Sequence, residues 1–173
     1  MSNQGRTFVV TDGERRTVAV RPIGELATIA AIDAGTTRVR DIRWAGSNHL
    51  LITTTSTTQI RNAIGPTYEW AQTMDFDVTR RTQRGLFRQV RGIAANVTLA
   101  GPVVRTVGDR TIACVPGFEV PDGETRTRRS LFRVDLDGNS TVVAEAATPE
   151  TLAWIVDAGG QAVAQQTLDS RGD

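Results

Sequence analysis

The feature that most constrains this chain is the recurrence of short apolar segments separated by polar turns along its whole length. Residues 130–143, SLFRVDLDGNSTVV, show the pattern most clearly, because apolar and polar residues alternate on both sides of an Asp-Gly pair. A period of two is typical of a β-strand. Asp137 and Gly138 predict a tight hairpin turn, since this pair tolerates positive φ at both turn positions. No segment carries a sustained helical stripe, and we predict an all-β fold.

The same arrangement of a polar turn followed by an apolar strand occurs four times, counted from Thr7, His49, Thr111 and Ala162. Repeats of about 40 to 50 residues with four short strands each are typical of β-propeller blades. The long second interval leaves room for an insertion, which we assign to the polar, irregular residues 56–68. Blade fragments are therefore expected at about residues 2–33, 37–91, 102–146 and 151–173.

Two of these fragments carry a nearly complete set of strands, and the two at the ends of the chain are partial. A propeller closes a ring of roughly four to eight blades. We therefore predict a partial, open β-propeller of four-stranded antiparallel blades, whose open blade edges would permit self-association. Trp44 and Trp154 occupy equivalent positions in two blades, which favours packing between sheets over stacking on a ligand.

The composition limits the partners that the chain is expected to bind. A formal net charge of +1 gives no electrostatic reason to expect nucleic acid or an acidic membrane surface. No apolar run approaches the ~20 residues that cross a bilayer. No secretion signal opens the sequence, which is therefore expected to stay in the cytoplasm as written. The single cysteine, Cys114, excludes an intramolecular disulfide and is interpreted as a buried, inert thiol.

Three local features resemble parts of functional sites. His49, the single histidine, is interpreted as a hydrogen-bonded structural residue rather than as a base or a ligand. The segment DLDGN begins like a calcium loop, but Ser140 and Ala146 stand where such a loop needs glycine and glutamate. A cluster of arginines is read as a solvated or salt-bridged connection between strands; it comprises Arg80, Arg81, Arg84, Arg88 and Arg91. We assign no catalytic residue, cofactor or metal.

Several segments, in their order along the chain, resemble the propeller of the prolyl oligopeptidase family of serine peptidases. SNQGRTFVVTDGERRTVAV is similar to the blade openings of that family, and RVRDIRWAGSNHLLI resembles blade strands of its bacterial dipeptidyl- or acylaminoacyl-peptidase-like members. RTIACVPG, LFRVDLDGNSTVVAEA and LAWIVDAGGQAVAQQ are similar to successive blades. The resemblance extends over roughly residues 2–171.

This resemblance implies a non-catalytic role. In the family, an N-terminal propeller precedes an α/β-hydrolase domain that supplies the serine, aspartate and histidine and whose access the propeller restricts. The 173 residues contain no Gly-x-Ser-x-Gly nucleophile elbow. The resemblance thus implies a propeller portion that gates or scaffolds peptide access to a hydrolase domain outside this sequence. The alternatives are a stand-alone, TolB-like protein-interaction module and a functionless truncated fragment.

Overall fold

The computed structural model describes residues 5–24, 27–58, 68–87 and 90–168. These residues form fourteen β-strands, and none of them lies in a helix, so the prediction of an all-β fold is confirmed. The chain divides into two compact units, Met1–Gly85 and Leu86–Asp173. Most of the expected insertion, residues 59–67, lies outside the described residues, as do Arg88 and both ends of the expected blade series.

The first unit contains seven antiparallel strands in two layers. Strands β1, β2 and β3 form one sheet in that order, and β4, β5, β6 and β7 pair in sequence order to form the β4–β7 layer. The strands span β1 Gly5–Asp12, β2 Arg15–Pro22, β3 Ala30–Gly35, β4 Arg38–Ala45, β5 His49–Thr58, β6 Tyr68–Asp77 and β7 Thr82–Gly85.

The two layers of the first unit pack through apolar faces that the alternation of the strands creates. Val18 lies opposite Ile32 across β2 and β3, while Leu50 lies opposite Phe76 across β5 and β6. Residues directly opposite in an antiparallel pair share a face, so these side chains line two apolar surfaces that meet. The buried members of this first core are Val18, Val20, Ile32, Leu50, Ile52 and Phe76.

The second unit repeats the plan with other strand numbers. Strand β10 pairs with β9 over its first half and with β8 near its end. On its other side it pairs with β11, which in turn pairs with β12. These five strands form the β8–β12 layer, and β13 and β14 form a separate hairpin. The strands span β8 Ile93–Thr98, β9 Val103–Val107, β10 Arg110–Glu119, β11 Arg128–Asp135, β12 Ser140–Ala146, β13 Thr151–Val156 and β14 Ala162–Thr167.

The β13–β14 hairpin packs on one face of the β8–β12 layer. The buried residues of this second core are Ile112, Cys114, Leu131 and Val156, with Trp154 packed against them. Arginine side chains add hydrogen bonds from the layer to the hairpin backbone. Arg105 donates to the carbonyl oxygens of Asp157 at 2.7 Å and Val156 at 3.0 Å, and Arg129 donates to that of Thr151 at 3.2 Å.

The hairpin that the Asp-Gly pair predicted lies between β11 and β12, but its turn differs from the expected one. Asp135 pairs with Ser140, so four residues form the loop, and the positive φ falls on Asn139 at 56°. Gly138 is required for a different reason. A Cβ built on it would lie 2.7 Å from a carboxylate oxygen of Asp135, whose other oxygen accepts the Gly138 N–H at 2.7 Å.

The layers thus hold three strands in β1–β3, four in β4–β7, five in β8–β12 and two in β13–β14. Each unit consists of two antiparallel layers packed face to face. No closed barrel or propeller ring is found among the described residues. The assignment of these layers to propeller blades stays a prediction.

Candidate functional site

The face of the β4–β7 layer opposite the first core carries buried polar groups. The register places Leu51 opposite Asp75 and Asp75 opposite Arg84, and His49 opposite Asp77, so these side chains share one face. His49 is 1% exposed and Asp75 is 2% exposed. Ionisable groups at this depth cost free energy unless each is paired, which makes the cluster the strongest candidate for a site in the first unit.

Asp75 is bonded on both sides. Its Oδ1 lies 2.9 Å from Nδ1 of His49, and its Oδ2 accepts a hydrogen bond from Nε of Arg84 at 3.1 Å. One strand step along the same face, the hydroxyls of Thr53 and Thr73 lie 3.0 Å apart. The polar side chains of β5, β6 and β7 thus form a continuous row on this face, which we call the polar ladder. Within it, the Asp75 carboxylate fixes the His49 imidazole ring in one orientation.

Asp77 continues the ladder at the end of β6. Its carboxylate accepts hydrogen bonds from the Arg80 backbone N–H at 2.8 Å, from the Arg80 guanidinium at 2.8 Å and from the Asn48 amide at 3.1 Å. Burial favours the neutral acid, but the hydrogen bonds and the nearby His49 outweigh it, so the pKa of Asp77 lies below its ordinary value. Asp77 is therefore an anion at neutral pH that closes the turn between β6 and β7.

An imidazole held by a carboxylate is one part of a catalytic triad, and a nucleophile must complete it. Among the described residues, the buried serine is Ser130 in the second unit. Its single hydroxyl proton is shared between Glu119 at 2.7 Å and the Arg129 carbonyl oxygen at 2.8 Å. The His49–Asp75–Arg84 cluster instead has the form of a structural network, in which side-chain hydrogen bonds connect β5 and β7 to the middle strand, β6.

The two tryptophans lie in the two inter-layer cores but differ in their hydrogen bonding. Trp44 packs against the first core and donates its Nε1–H to the carbonyl oxygen of Gly5 at 3.1 Å. Trp154 packs against the second core, and its buried Nε1 has no hydrogen-bond partner among the described residues. A buried donor without a partner lowers stability, so the equivalent positions in the sequence are not equivalent energetically.

Asp137 and Gly138 hold the end of the β11–β12 hairpin. An oxygen of Asp137 accepts the backbone N–H of Thr111 at 2.6 Å, which joins the turn to the start of β10. Sequence reasoning identified this turn but not Asp135, the buried carboxylate that binds Gly138 and Arg110. It likewise missed Asp75. The available signal was an aspartate within an apolar alternation, where a charged residue needs a partner to be buried.

Two of the concave surfaces of the second unit adjoin Glu119 and Cys114. The first is a pocket of about 290 Å³ whose lining includes Arg91, Glu119, Asp122 and Phe132. Arg128 already bonds Glu119, at 3.0 Å, and this hydrogen bond lowers the pKa of Glu119 more than partial burial raises it. The charge that the pocket presents at Glu119 is thus balanced within the protein.

A smaller apolar pocket of about 100 Å³ lies beside the second core, where Cys114 and Leu131 contribute to its wall. Burial raises the pKa of the Cys114 thiol, which keeps it protonated and unreactive at neutral pH. In residues 5–24, 27–58, 68–87 and 90–168, no three histidine, cysteine or acidic side chains converge to hold a metal ion. The same residues include no helix long and apolar enough to cross a membrane.

Comparison with known proteins identifies no relative. No protein-family model, no curated protein and no solved structure matches the chain.

Proposed function

We propose that the chain is the non-catalytic propeller portion of a serine peptidase resembling the prolyl oligopeptidase family. The observation that carries the proposal is the packing of two antiparallel layers, face to face, within each unit. Stacked small sheets are the construction principle of propeller blades, which cover each other's faces because one blade cannot cover its own. The choice of this family is supported by the resemblance of several segments to its blades, in the same order.

In this role the chain acts by rigidity and shape. Its core strands are fixed by buried apolar side chains and by the His49–Asp75–Arg84 network, so they form a wall that does not deform when a peptide approaches. Such a wall admits short, flexible peptides and excludes folded proteins from a hydrolase domain behind it. The chemistry of peptide cleavage belongs to that hydrolase domain.

The coding sequence that adjoins this one gives the first test. We expect it to encode a Gly-x-Ser-x-Gly segment followed by an aspartate and a histidine, which are the elements of an α/β-hydrolase. The joined protein should then cleave a chromogenic dipeptide and short peptides while sparing casein. A hydrolase that cleaves casein equally well with and without the 173 residues would contradict the gating role.

The purified chain should itself leave the dipeptide intact. If it cleaves the substrate, and if His49→Gln abolishes the cleavage while Asp33→Asn does not, the polar ladder of the first unit is an active site and the proposal is wrong. Asp33 is a suitable control because it pairs with Arg15 on an exposed surface, away from the ladder.

A second function is favoured by a different observation. Three apolar residues of β1 are about half exposed, namely Phe8, Val9 and Val10. An exposed apolar strand at a sheet edge is a docking surface for another strand. A stand-alone interaction module would use this surface, and it would have a neighbouring coding sequence that is unrelated to hydrolases.

A further inference from the structure

Strand β1 is the edge strand of the β1–β3 sheet. It pairs with β2 along its whole length, from Gly5 opposite Pro22 to Asp12 opposite Arg15, and no described strand pairs with its other edge. Phe8 is 44% exposed, Val9 44% and Val10 52%. An edge of this length with this much apolar surface is a template for a further strand.

The sequence of β1 is complementary to itself. Residues 6–12 read RTFVVTD, which is symmetric in chemical type about Val9. Two copies of an antiparallel strand related by a two-fold axis normal to the sheet place opposed residues on the same face. With Val9 opposite the Val9 of a second copy, the other opposed pairs are Phe8 with Val10, Thr7 with Thr11, and Arg6 with Asp12.

Neighbouring registers lack this complementarity. A shift of two residues in one direction places Phe8 opposite Asp12, and a shift in the other direction places Arg6 opposite Val10. A shift of one residue would bring side chains from opposite faces together, which the pleat forbids. The centred register alone matches apolar residues with apolar ones and opposite charges with each other.

The charged residues of β1 also form no ion pair within the described part of the chain. Arg6 lies directly opposite Arg21 of β2, and like charges in this position repel. Arg21 lies over the ring of Phe8, with 5.4 Å between its Cζ and the ring centroid. Arg15, opposite Asp12, pairs with Asp33 instead. Among the described residues, neither Arg6 nor Asp12 forms an ion pair, and a second copy would supply the opposite charge to each.

We propose that the chain forms a two-fold symmetric dimer in which β1 pairs antiparallel with β1 of a second copy, with Val9 at the axis. The two β1–β3 sheets then join into one six-stranded sheet. Phe8 and Val10 of both copies form one apolar cluster on one face, and two Arg6–Asp12 pairs flank it. The proposal does not depend on the peptidase role. One strand edge lies at the small end of the range of specific interfaces, so we expect an equilibrium between monomer and dimer.

A cysteine at the axis tests the register. Opposed residues in an antiparallel pair have Cβ atoms about 4.5–5.5 Å apart. Under mild oxidation of the full chain, Val9→Cys should give a disulfide-linked dimer, and Thr11→Cys alone should not. An equal mixture of Thr7→Cys and Thr11→Cys chains should link again, because these positions oppose each other across the axis. The wild-type chain, whose Cys114 is buried, measures the background.

Charge exchange gives an independent test at two exposed positions, where substitution is compatible with folding. Arg6→Asp and Asp12→Arg each place like charges opposite each other twice in the dimer, so sedimentation velocity should show dimerisation weakened about tenfold. The double variant restores opposite charges and should dimerise within about threefold of the wild type.

Four results would overturn the proposal. The first three are a wild-type chain that stays monomeric over the whole concentration range, a Thr11→Cys chain that links as readily as Val9→Cys, and a double charge variant that dimerises no better than the single ones. The fourth is a dimer that both single variants leave unchanged, which would assign self-association to another surface. None of these outcomes bears on the adjoining coding sequence, so the peptidase proposal stands or falls separately.

Discussion

The cores of the two units are built on the same plan but stabilised differently. The first contains six buried residues from both layers, all of them apolar, and the indole N–H of Trp44 is hydrogen-bonded. The second contains four, lies beside a pocket of about 100 Å³ and leaves the indole N–H of Trp154 without a partner. Two arginines, Arg105 and Arg129, compensate by bonding the backbone of the β13–β14 hairpin.

The buried aspartates of the two units also differ, because their arginine partners are exposed to different degrees. In the first unit, Asp75 binds His49, which is fully buried, and Arg84, whose side chain is about one-third exposed. In the second, Asp135 binds Arg110, whose side chain is 62% exposed, and a turn N–H. One layered plan thus tolerates two ways of pairing a buried acid, namely an internal ionic network in the first unit, or an exposed arginine and a backbone N–H in the second.

The largest difference is expected at the two buried acids. Asp75→Ala removes the buried carboxylate that both His49 and Arg84 bond, and breaking a buried ionic network in this way costs about 3–5 kcal/mol of unfolding free energy. Asp135→Ala should cost about 1–2 kcal/mol, since Arg110 returns to water and the main loss is a hydrogen bond. Urea unfolding of both variants measures the difference, and equal losses would contradict the contrast.

Matched leucines test the packing density of the cores. Leu50 is fully buried in the first core, whereas Leu131, which is also buried, lines the pocket beside the second core. Leu50→Ala should therefore lower the unfolding free energy by about 4 kcal/mol and Leu131→Ala by about 2–3 kcal/mol. The comparison fails if Leu131→Ala proves the more damaging substitution in urea unfolding.

The next largest loss of stability is expected when the hydrogen bonds from Arg105 to the β13–β14 hairpin are removed. Arg105→Met keeps most of the side-chain volume but removes the two charged hydrogen bonds to the hairpin carbonyls and a third to the Val104 carbonyl, which should cost about 1.5–3 kcal/mol. Arg15→Met is the control, because Arg15 pairs with Asp33 on an exposed surface and should leave stability unchanged. Hydrogen exchange should show faster opening of β13 and β14 in the Arg105 variant. Unchanged protection of these strands would argue against a stabilising role for the Arg105 hydrogen bonds.

Replacing each tryptophan by phenylalanine separates the contribution of hydrogen bonding to stability from that of packing. Trp44→Phe removes a hydrogen bond and leaves the Gly5 carbonyl unbonded, whereas Trp154→Phe removes a buried donor that already lacks a partner. The same substitution should therefore be more costly at Trp44 by about 1–2 kcal/mol. Thermal unfolding of the two variants side by side measures this difference. A Trp154→Phe variant that is less stable than the Trp44→Phe variant would contradict the expectation.

The smallest effect is a dependence on pH in the second unit. The hydrogen bond from Arg128 lowers the pKa of Glu119 below its ordinary 4.5, while partial burial works against this. A depressed pKa in the folded state contributes stability above pH 4.5, and the contribution disappears as the pH falls through the folded value. Glu119→Gln should thus lower the melting temperature at pH 7 and have no effect near pH 3; a constant difference would contradict this.

Sequence reasoning reached the fold class because a period of two is a local property that the strands retain. Trp44 and Trp154, which their positions in the repeat assigned to packing between sheets, are partly buried and pack against the two cores. The turn at Asp137 and Gly138 was located correctly, but its conformation depends on the approach of Asp135, which adjacent residues alone do not specify. The pairing of His49 with Asp75 joins residues 26 positions apart, and it depends on the register of β5 against β6.

The self-complementarity of β1 is visible in seven adjacent residues, yet it has no meaning until β1 is known to lie at a sheet edge. The structure supplies that fact through the pairing of β1 with β2 and through the exposure of Phe8 and Val10. Sequence patterns therefore specify the faces of strands well, while neighbours and edges depend on tertiary structure.

The fold described for each unit requires that two antiparallel layers meet face to face. Nuclear Overhauser effects between methyl groups can show this in the first unit, on a sample with labelled valine, leucine and isoleucine methyls. Contacts are expected from Val18 and Ile32 of the β1–β3 sheet to Ile52 of the β4–β7 layer. Methyl contacts confined to each layer, with none between the layers, would show that the layers do not pack in this way.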